Sequence, residues 1–258
     1  MRCFHALLLL VLTHASTALA QFVQVDLSAF YNIDRRSSCC ESAQYPLGNA
    51  TYFGVPFFLG PTTGNNSVLF SGTNPVVTDI PIVRAGVQRV RTLLNTAWGQ
   101  PGPNSYLRIE FHGTDGSLYA VNLIGGQHIR DHGPAFTQTF DPNPPTCTRN
   151  VWTSTGGSVR ADMQTFALPA SIRSNGLSFI RFIDTGATNF QRGFLFAITL
   201  DERICEANIN DDCVVDLFDY LDFVALFAAN DPEADFNGDG AIDFFDYLDY
   251  VAAFADGC

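Results

Sequence analysis

The stretch Leu107-Arg-Ile109-Glu-Phe111-His-Gly113-Thr-Asp-Gly116-Ser-Leu-Tyr119-Ala-Val121-Asn-Leu123 decides how most of the chain folds. Leu107, Ile109 and Phe111 alternate with Arg108, Glu110 and His112, the period of a strand with one face in a core. Gly113-Thr-Asp-Gly116 turns the chain, and Tyr119, Val121 and Leu123 resume the alternation, which predicts a β-hairpin. Outward from it, Tyr52 to Leu59, Val68 to Phe70, Val76 to Ile82, Val90 to Leu94, Gln164 to Leu168, Leu177 to Ile183 and Phe194 to Leu200 read as further strands separated by Gly, Pro, Asn and Asp. Proline cannot donate to a ladder, so Pro56 and Pro81 belong at sheet edges or strand ends. No amphipathic helix of three turns interrupts the region. About eight to ten short strands predict a mainly β domain, an antiparallel jelly-roll β-sandwich, with the Pro-rich passage Phe140 to Cys147 as a surface loop.

Charge is unevenly divided. The 258 residues carry a formal net charge of −12, and 14 of the 26 acidic residues lie between Cys205 and Cys258, where there is no basic residue. The rest is nearly neutral, 12 acidic against 14 basic residues, all arginine. Neither nucleic acid nor an anionic membrane is therefore an evident partner. At the N-terminus, Arg2, the apolar run Ala6 to Leu12 and the small residues Ala18-Leu19-Ala20 read as a secretory signal peptide over 1–20, which places the protein outside the cell or attached to its surface. No stretch reaches the ~18 apolar residues of a membrane span. Removing the signal leaves 238 residues, read as a β-sandwich domain (21–203) and a small C-terminal module (204–258). It also leaves Cys39, Cys40, Cys147, Cys205, Cys213 and Cys258, an even count that favours disulfides in an exported chain without choosing their pairing. A bond from Cys147 to Cys39 or Cys40 would pin the Pro-rich loop.

The C-terminal module contains one unit twice. Asn208-Ile-Asn210-Asp-Asp212-Cys-Val214-Val-Asp216-Leu-Phe-Asp219 returns 27 residues later as Asp235-Phe-Asn237-Gly-Asp239-Gly240-Ala241-Ile-Asp243-Phe-Phe-Asp246, each followed by a helical pattern. Oxygen ligands at positions 1, 3, 5, 9 and 12 of a twelve-residue loop, with a backbone carbonyl at position 7, suit Ca2+. The second loop fits throughout, with Asp235, Asn237, Asp239, Asp243, Asp246 and the Ala241 carbonyl. The first offers Asn208, Asn210, Asp212, Asp216, Asp219 and the Val214 carbonyl, but has Asn208 in place of an aspartate at position 1 and Cys213 where the turn favours glycine, so weaker binding is expected there. Helical spacing places Phe244, Leu248, Val251, Ala252 and Ala255 on one face, expected to bury against Leu217, Leu221, Val224, Ala225 and Ala228.

Two loop-helix units closed by aspartate, with no helix entering the loop, resemble a type I dockerin, and most closely a subgroup that opens on a cysteine and ends in Gly-Cys. The resemblance implies a calcium-binding, EF-hand-like all-α module that docks on a cohesin-like or cell-surface partner. It also implies a clasp between Cys205 and Cys258, because dockerin termini lie side by side; a Cys258 kept free as an anchor is the rival.

In the larger domain, Leu93-Leu-Asn95-Thr-Ala-Trp98-Gly99, Gly113-Thr-Asp-Gly116, Ile129-Arg130-Asp131, Arg160-Ala-Asp162-Met-Gln164 with Leu168-Pro169, and Phe182-Ile-Asp184 followed by Arg192 resemble secreted galactose-binding-like sandwiches. That resemblance implies non-catalytic binding of a glycan or another surface ligand. Sugar sites use an aromatic face and polar forks, which nominates Trp98, Arg130, Asp131 and His132, with Arg192 and Asp184 next. The alternative is a dockerin-borne enzyme acting on polysaccharide, in the manner of a glycoside hydrolase. It would need two carboxylates across one bond, from among Glu110, Asp131, Asp162 and Asp184.

Overall fold

A computed structural model describes residues 22–37, 43–70, 75–99, 105–133, 147–186, 191–202, 207–210, 215–237 and 239–256. In chain order these form β1 (Phe22–Gln24), β2 (Asn49–Tyr52), β3 (Val55–Phe58), β4 (Val68–Leu69), β5 (Val76–Arg84), β6 (Arg89–Ala97), β7 (Ser105–Gly113), β8 (Leu118–Ile124), β9 (Cys147–Thr153) and β10 (Arg160–Ala167). There follow α1 (Ala170–Asn175), β11 (Leu177–Asp184), β12 (Arg192–Asp201), α2 (Leu217–Ala229) and α3 (Phe244–Asp256). The protein is mainly antiparallel β, as an antiparallel sandwich requires. Among the described residues no helix is long and apolar enough to cross a membrane.

The hairpin predicted from alternation is β7–β8, with Ile109 opposite Val121 and Phe111 opposite Tyr119. It forms one side of a four-stranded sheet ordered β5-β11-β7-β8, and Pro81 lies on the edge strand β5. The facing sheet runs β1-β12-β6-β10-β9, with β4 paired to β12 beyond the end of β1. Ile109, Phe111, Ile180 and Phe182 of the first sheet close on Val90, Leu94, Phe166, Leu195 and Ile198 of the second. Burying each such side chain is worth about 1.5–3 kcal/mol.

The larger sheet is covered on its other face as well. The hairpin β2–β3 lays Val55 and Phe57 over Leu93, Met163, Phe194 and Phe196, with Tyr45 and Leu59 closing the layer. With both faces covered, all nine residues of β6 are buried. Its sequence therefore does not alternate as that of β7 does. The same double covering explains why polar side chains occur in the interior. Thr92 donates to Gln164 Oε1 at 2.8 Å and Gln164 Nε2 to the Leu94 carbonyl at 2.7 Å, satisfying groups that would otherwise be costly to bury.

The C-terminal helices obey the 27-residue repeat in their packing. Phe223 stacks on Tyr250 at 3.9 Å and 4°, and the Tyr220 and Tyr247 hydroxyls meet at 3.0 Å. Ala207 and Ala234, Ile209 and Phe236, Val215 and Ile242, Leu226 and Ala253, Phe227 and Phe254 join the cluster as equivalent pairs, and Val251 joins it without its equivalent Val224. Apart from Val251, the face predicted to be buried is different from the face that is. Leu217, Leu221, Phe244 and Leu248 are 63%, 51%, 63% and 44% exposed, while Phe223 and Tyr250 are fully buried. The reason is the loop-closing aspartate. Asp219 and Asp246 turn inward to their loops, and residues four later, Phe223 and Tyr250, share their face. Both helices are apolar nearly all round, so spacing alone left two faces open.

Candidate functional sites

The two loops are built from the same local rules. At α2, Asp216 Oδ1 accepts the Phe218 N–H at 2.8 Å, and Asp219 Oδ2 accepts the Asp216 N–H at 2.9 Å. At α3, Asp243 Oδ1 accepts from Phe245 at 2.8 Å and Asp246 Oδ2 from Asp243 at 2.7 Å. Positions 9 and 12 of each loop are thus also the reciprocal cap that starts the helix. The remaining oxygen of Asp246 accepts Phe236 N–H at 2.9 Å and Asn237 N–H at 3.2 Å; that of Asp219 accepts Asn210 N–H at 3.3 Å. These N–H groups, Asp243 foremost, hold the Asp246 carboxyl below its ordinary range. Both carboxylates are fully buried.

In the second loop Asp239 N–H reaches Asp235 Oδ1 at 3.1 Å and Asn237 Oδ1 at 3.0 Å, Gly240 N–H reaches Asp235 Oδ2 at 3.0 Å, and Ala241 N–H reaches Asp239 Oδ1 at 2.8 Å. Gly240 takes φ +87°, open to glycine and strained for other residues. In the first loop the counterpart of Asp235 is Asn208, whose side-chain oxygen is buried and makes no hydrogen bond. An orphaned acceptor of this kind has a use if a cation fills it. Among the described residues no three His, Cys, Asp or Glu side chains converge closely enough to hold a metal. In kind, however, the donors fit a hard cation: carboxylate, amide and carbonyl oxygen, with the Asn208 oxygen free to bind. Asp212 and Val214 lie outside the described residues, as do Cys39, Cys40, Cys205, Cys213 and Cys258; Cys147 begins β9, but its side chain is also outside them.

Around the equivalent helix starts sits a second feature. Leu217, Phe218 and Leu221 match Phe244, Phe245 and Leu248 across the repeat, and all six are at least 44% exposed. Spacing assigned four of these to the core. The signal that would have placed them outside was the inward obligation of Asp219 and Asp246.

On the sandwich, the four residues nominated for a ligand do come together. The segment 130–133 threads between the end of β6 and the start of β10: Thr96 N–H donates to the Arg130 carbonyl at 3.0 Å, His132 N–H to the Thr96 carbonyl at 2.9 Å, and Arg160 N–H to the His132 carbonyl at 2.9 Å. Their side chains differ in fate. Arg130 grips Asp162, which is fully buried, with Nε 2.8 Å from Oδ2 and an Nη 2.7 Å from Oδ1. Asn95 and Asn150 donate to the same carboxylate at 2.6 and 3.1 Å. Asp131 accepts Gly99 N–H at 2.8 Å and Gly133 N–H at 2.6 Å, and burial raises its pKa. His132 Nδ1 lies 2.7 Å from the Tyr45 hydroxyl, and burial, with Arg160 nearby, pushes its pKa down to about 4. Only Trp98, 49% exposed, presents a large surface to solvent.

The other nominated carboxylates are also engaged by protein groups. Asp184 accepts from Gly186 at 2.9 Å and Gly193 at 2.6 Å, and burial raises its pKa. Glu110 bonds Arg108 at 2.8 Å and His112 at 3.0 Å on the outer face of the four-stranded sheet. Arg192 donates to the Gln191 carbonyl at 2.6 Å. Sequence reading missed Arg35, which is 1% exposed and pins three loops by donating to the Asn66, Pro46 and Leu59 carbonyls and the Ser67 hydroxyl at 2.6–2.8 Å. No known family model matches the chain, and no curated protein matches it in sequence.

Proposed function

We propose that this is an exported, non-catalytic binding protein, whose sandwich engages a glycan or another surface ligand and whose C-terminal repeat tethers it, in a calcium-dependent way, to a cohesin-like or cell-surface partner. One observation carries the tether: the repeat leaves six large apolar side chains exposed at equivalent positions, beside two loops lined with hard oxygen donors. An exposed apolar cluster of that kind marks an interaction surface. Asp235, Asn237, Asp239, Asp243, Asp246 and the Ala241 carbonyl would hold one Ca2+; Asn208, Asn210, Asp216, Asp219 and the undescribed Asp212 and Val214 a second. Bound Ca2+ supplies positive charge to a segment with 14 acidic and no basic residues, and so relieves its self-repulsion.

The jelly-roll reading of the sandwich draws support from its strand order, β4-β12-β6-β10 facing β5-β11-β7-β8, with β9 and β1 added at edges. The non-catalytic reading is favoured over a glycoside hydrolase because Asp131, Asp162, Asp184 and Glu110 all bond protein groups, three of them at least 97% buried. The test is calorimetry of the full chain with Ca2+, followed in parallel by circular dichroism. Two binding events of unequal strength with a gain of helix are expected, and Asp239→Ala should abolish the stronger. Absence of any calcium-linked heat or helix gain would refute the tether.

A further inference from the structure

We propose that Asp131 is a positioning residue for a ligand platform formed by the Trp98 indole, which meets the CH face of a pyranose ring; this assignment rests on the glycan reading of the sandwich. Trp98 has φ +61°, in the left-handed region that bulky residues adopt rarely and at a cost. Such a conformation persists only where the surroundings over-determine it. Here they do so through one carboxylate. Asp131, 3% exposed, receives the N–H groups of Gly99, the residue next to Trp98, and of Gly133 at 2.8 and 2.6 Å. Gly99 N–H takes Oδ2 and Gly133 N–H takes Oδ1, so one side chain clamps the turn from both sides.

The clamp is in turn held in place. Thr96 bonds the segment 130–132 from one side, and from the other the Arg160 side chain donates to the Asp131 and Gly133 carbonyls at 2.8 and 3.1 Å. The chain beyond Trp98 has no slack either: a Cβ on Gly99 would lie 2.0 Å from Thr96 Oγ1. What this construction delivers is an indole 49% exposed, on a turn held by the buried Asp131. A buried carboxylate committed to holding a strained, exposed aromatic detracts from stability, and is accounted for when the ring works in the open. An indole face offers what the apolar face of a sugar ring needs, a flat and rigid contact with little conformational entropy to lose.

The experiment uses the full chain with Trp98→Ala, Trp98→Phe, Asp131→Asn and a Trp152→Phe background, which makes Trp98 the sole tryptophan. On a glycan array, Trp98→Ala should lose about tenfold or more in retention and Trp98→Phe should recover part of it. Asp131→Asn should weaken retention about tenfold with the order of preference among sugars unchanged, and should raise the mobility of Trp98 fluorescence. Wild-type retention by Trp98→Ala, or a changed sugar preference in Asp131→Asn, overturns the assignment. Amide exchange on the wild-type chain needs no variant to fold: slow exchange at Gly99 and Gly133 supports the clamp, and exchange at the free rate overturns it. If the wild-type chain retains no glycan at all, the glycan reading fails and the pyranose platform with it, while the exchange result still decides whether the clamp exists.

Discussion

The sandwich and the C-terminal repeat err in opposite directions from what residue type suggests. On the sandwich rim, Arg130, Asp131 and His132 have the chemistry of ligand contacts and are instead bonded inward to Asp162, to backbone N–H groups and to Tyr45. On the repeat, Leu217, Leu221, Phe244 and Leu248 have the chemistry of core residues and are exposed. The lesson is about competition for the interior. A sheet covered on both faces must satisfy the polar groups that end up inside it, so it recruits charged and amide side chains as internal fasteners. A pair of short helices has room for only one shared face, and here the loop-closing aspartates choose it.

The sharpest way to break this contrast is to remove a fastener. Asp162→Ala leaves Arg130, 12% exposed, without its bidentate partner, and should destabilise the sandwich by about 3–5 kcal/mol in urea unfolding. A loss below about 1 kcal/mol would mean that the rim polar residues are free after all. Phe223→Ala, which deletes one half of the stack with Tyr250, should cost about 3–4 kcal/mol in the stability of the helical pair.

Acid probes the rim in another way. His132 has its pKa lowered to about 4 from 6.5, so it is neutral in the folded chain over a range where the unfolded chain is protonated. Its contribution is complete above about pH 6.5 and lost as pH falls to about 4, about 3 kcal/mol in all. The difference between wild type and His132→Gln isolates it from the carboxylates: the wild type should lose more stability on acidification, and parallel profiles would contradict the buried neutral imidazole. The smallest effect belongs to the exposed face of the repeat. Leu221→Ser with Leu248→Ser should change stability by less than about 0.5 kcal/mol while weakening association with any docking partner. A loss comparable to Phe223→Ala would return these leucines to the core.

Much of the fold was legible because its signals are local. The hairpin β7–β8 followed from alternation and a Gly-containing turn, and the edge position of Pro81 from its missing N–H. β1, β2 and β9 were not legible. β1 and β2 have three and four residues, and β9, Cys147–Thr153, carries polar residues at the border of a Pro-rich passage, so none offers enough periodicity to read. The candidate sites divide similarly. Residue type nominated Trp98 with residues 130–132, but nothing along the chain showed that they meet; the burial of all but Trp98 depends on β10, which brings Asp162 32 residues from Arg130 and Arg160 29 residues from Asp131, and on Tyr45, 87 residues from His132.

By itself the sequence determined the strands that alternate, the 27-residue repeat, its oxygen-bearing loops and the acidic surplus held there, because each is a property of neighbours along the chain. Only the tertiary structure decided which face of an all-round apolar helix is buried, and which polar side chains of a twice-covered sheet turn inward. Those outcomes depend on what the rest of the chain places opposite them. The free energy of a side chain is set by the neighbours it meets in space, and an aspartate facing a loop or a second layer over a sheet supplies those neighbours from far along the sequence.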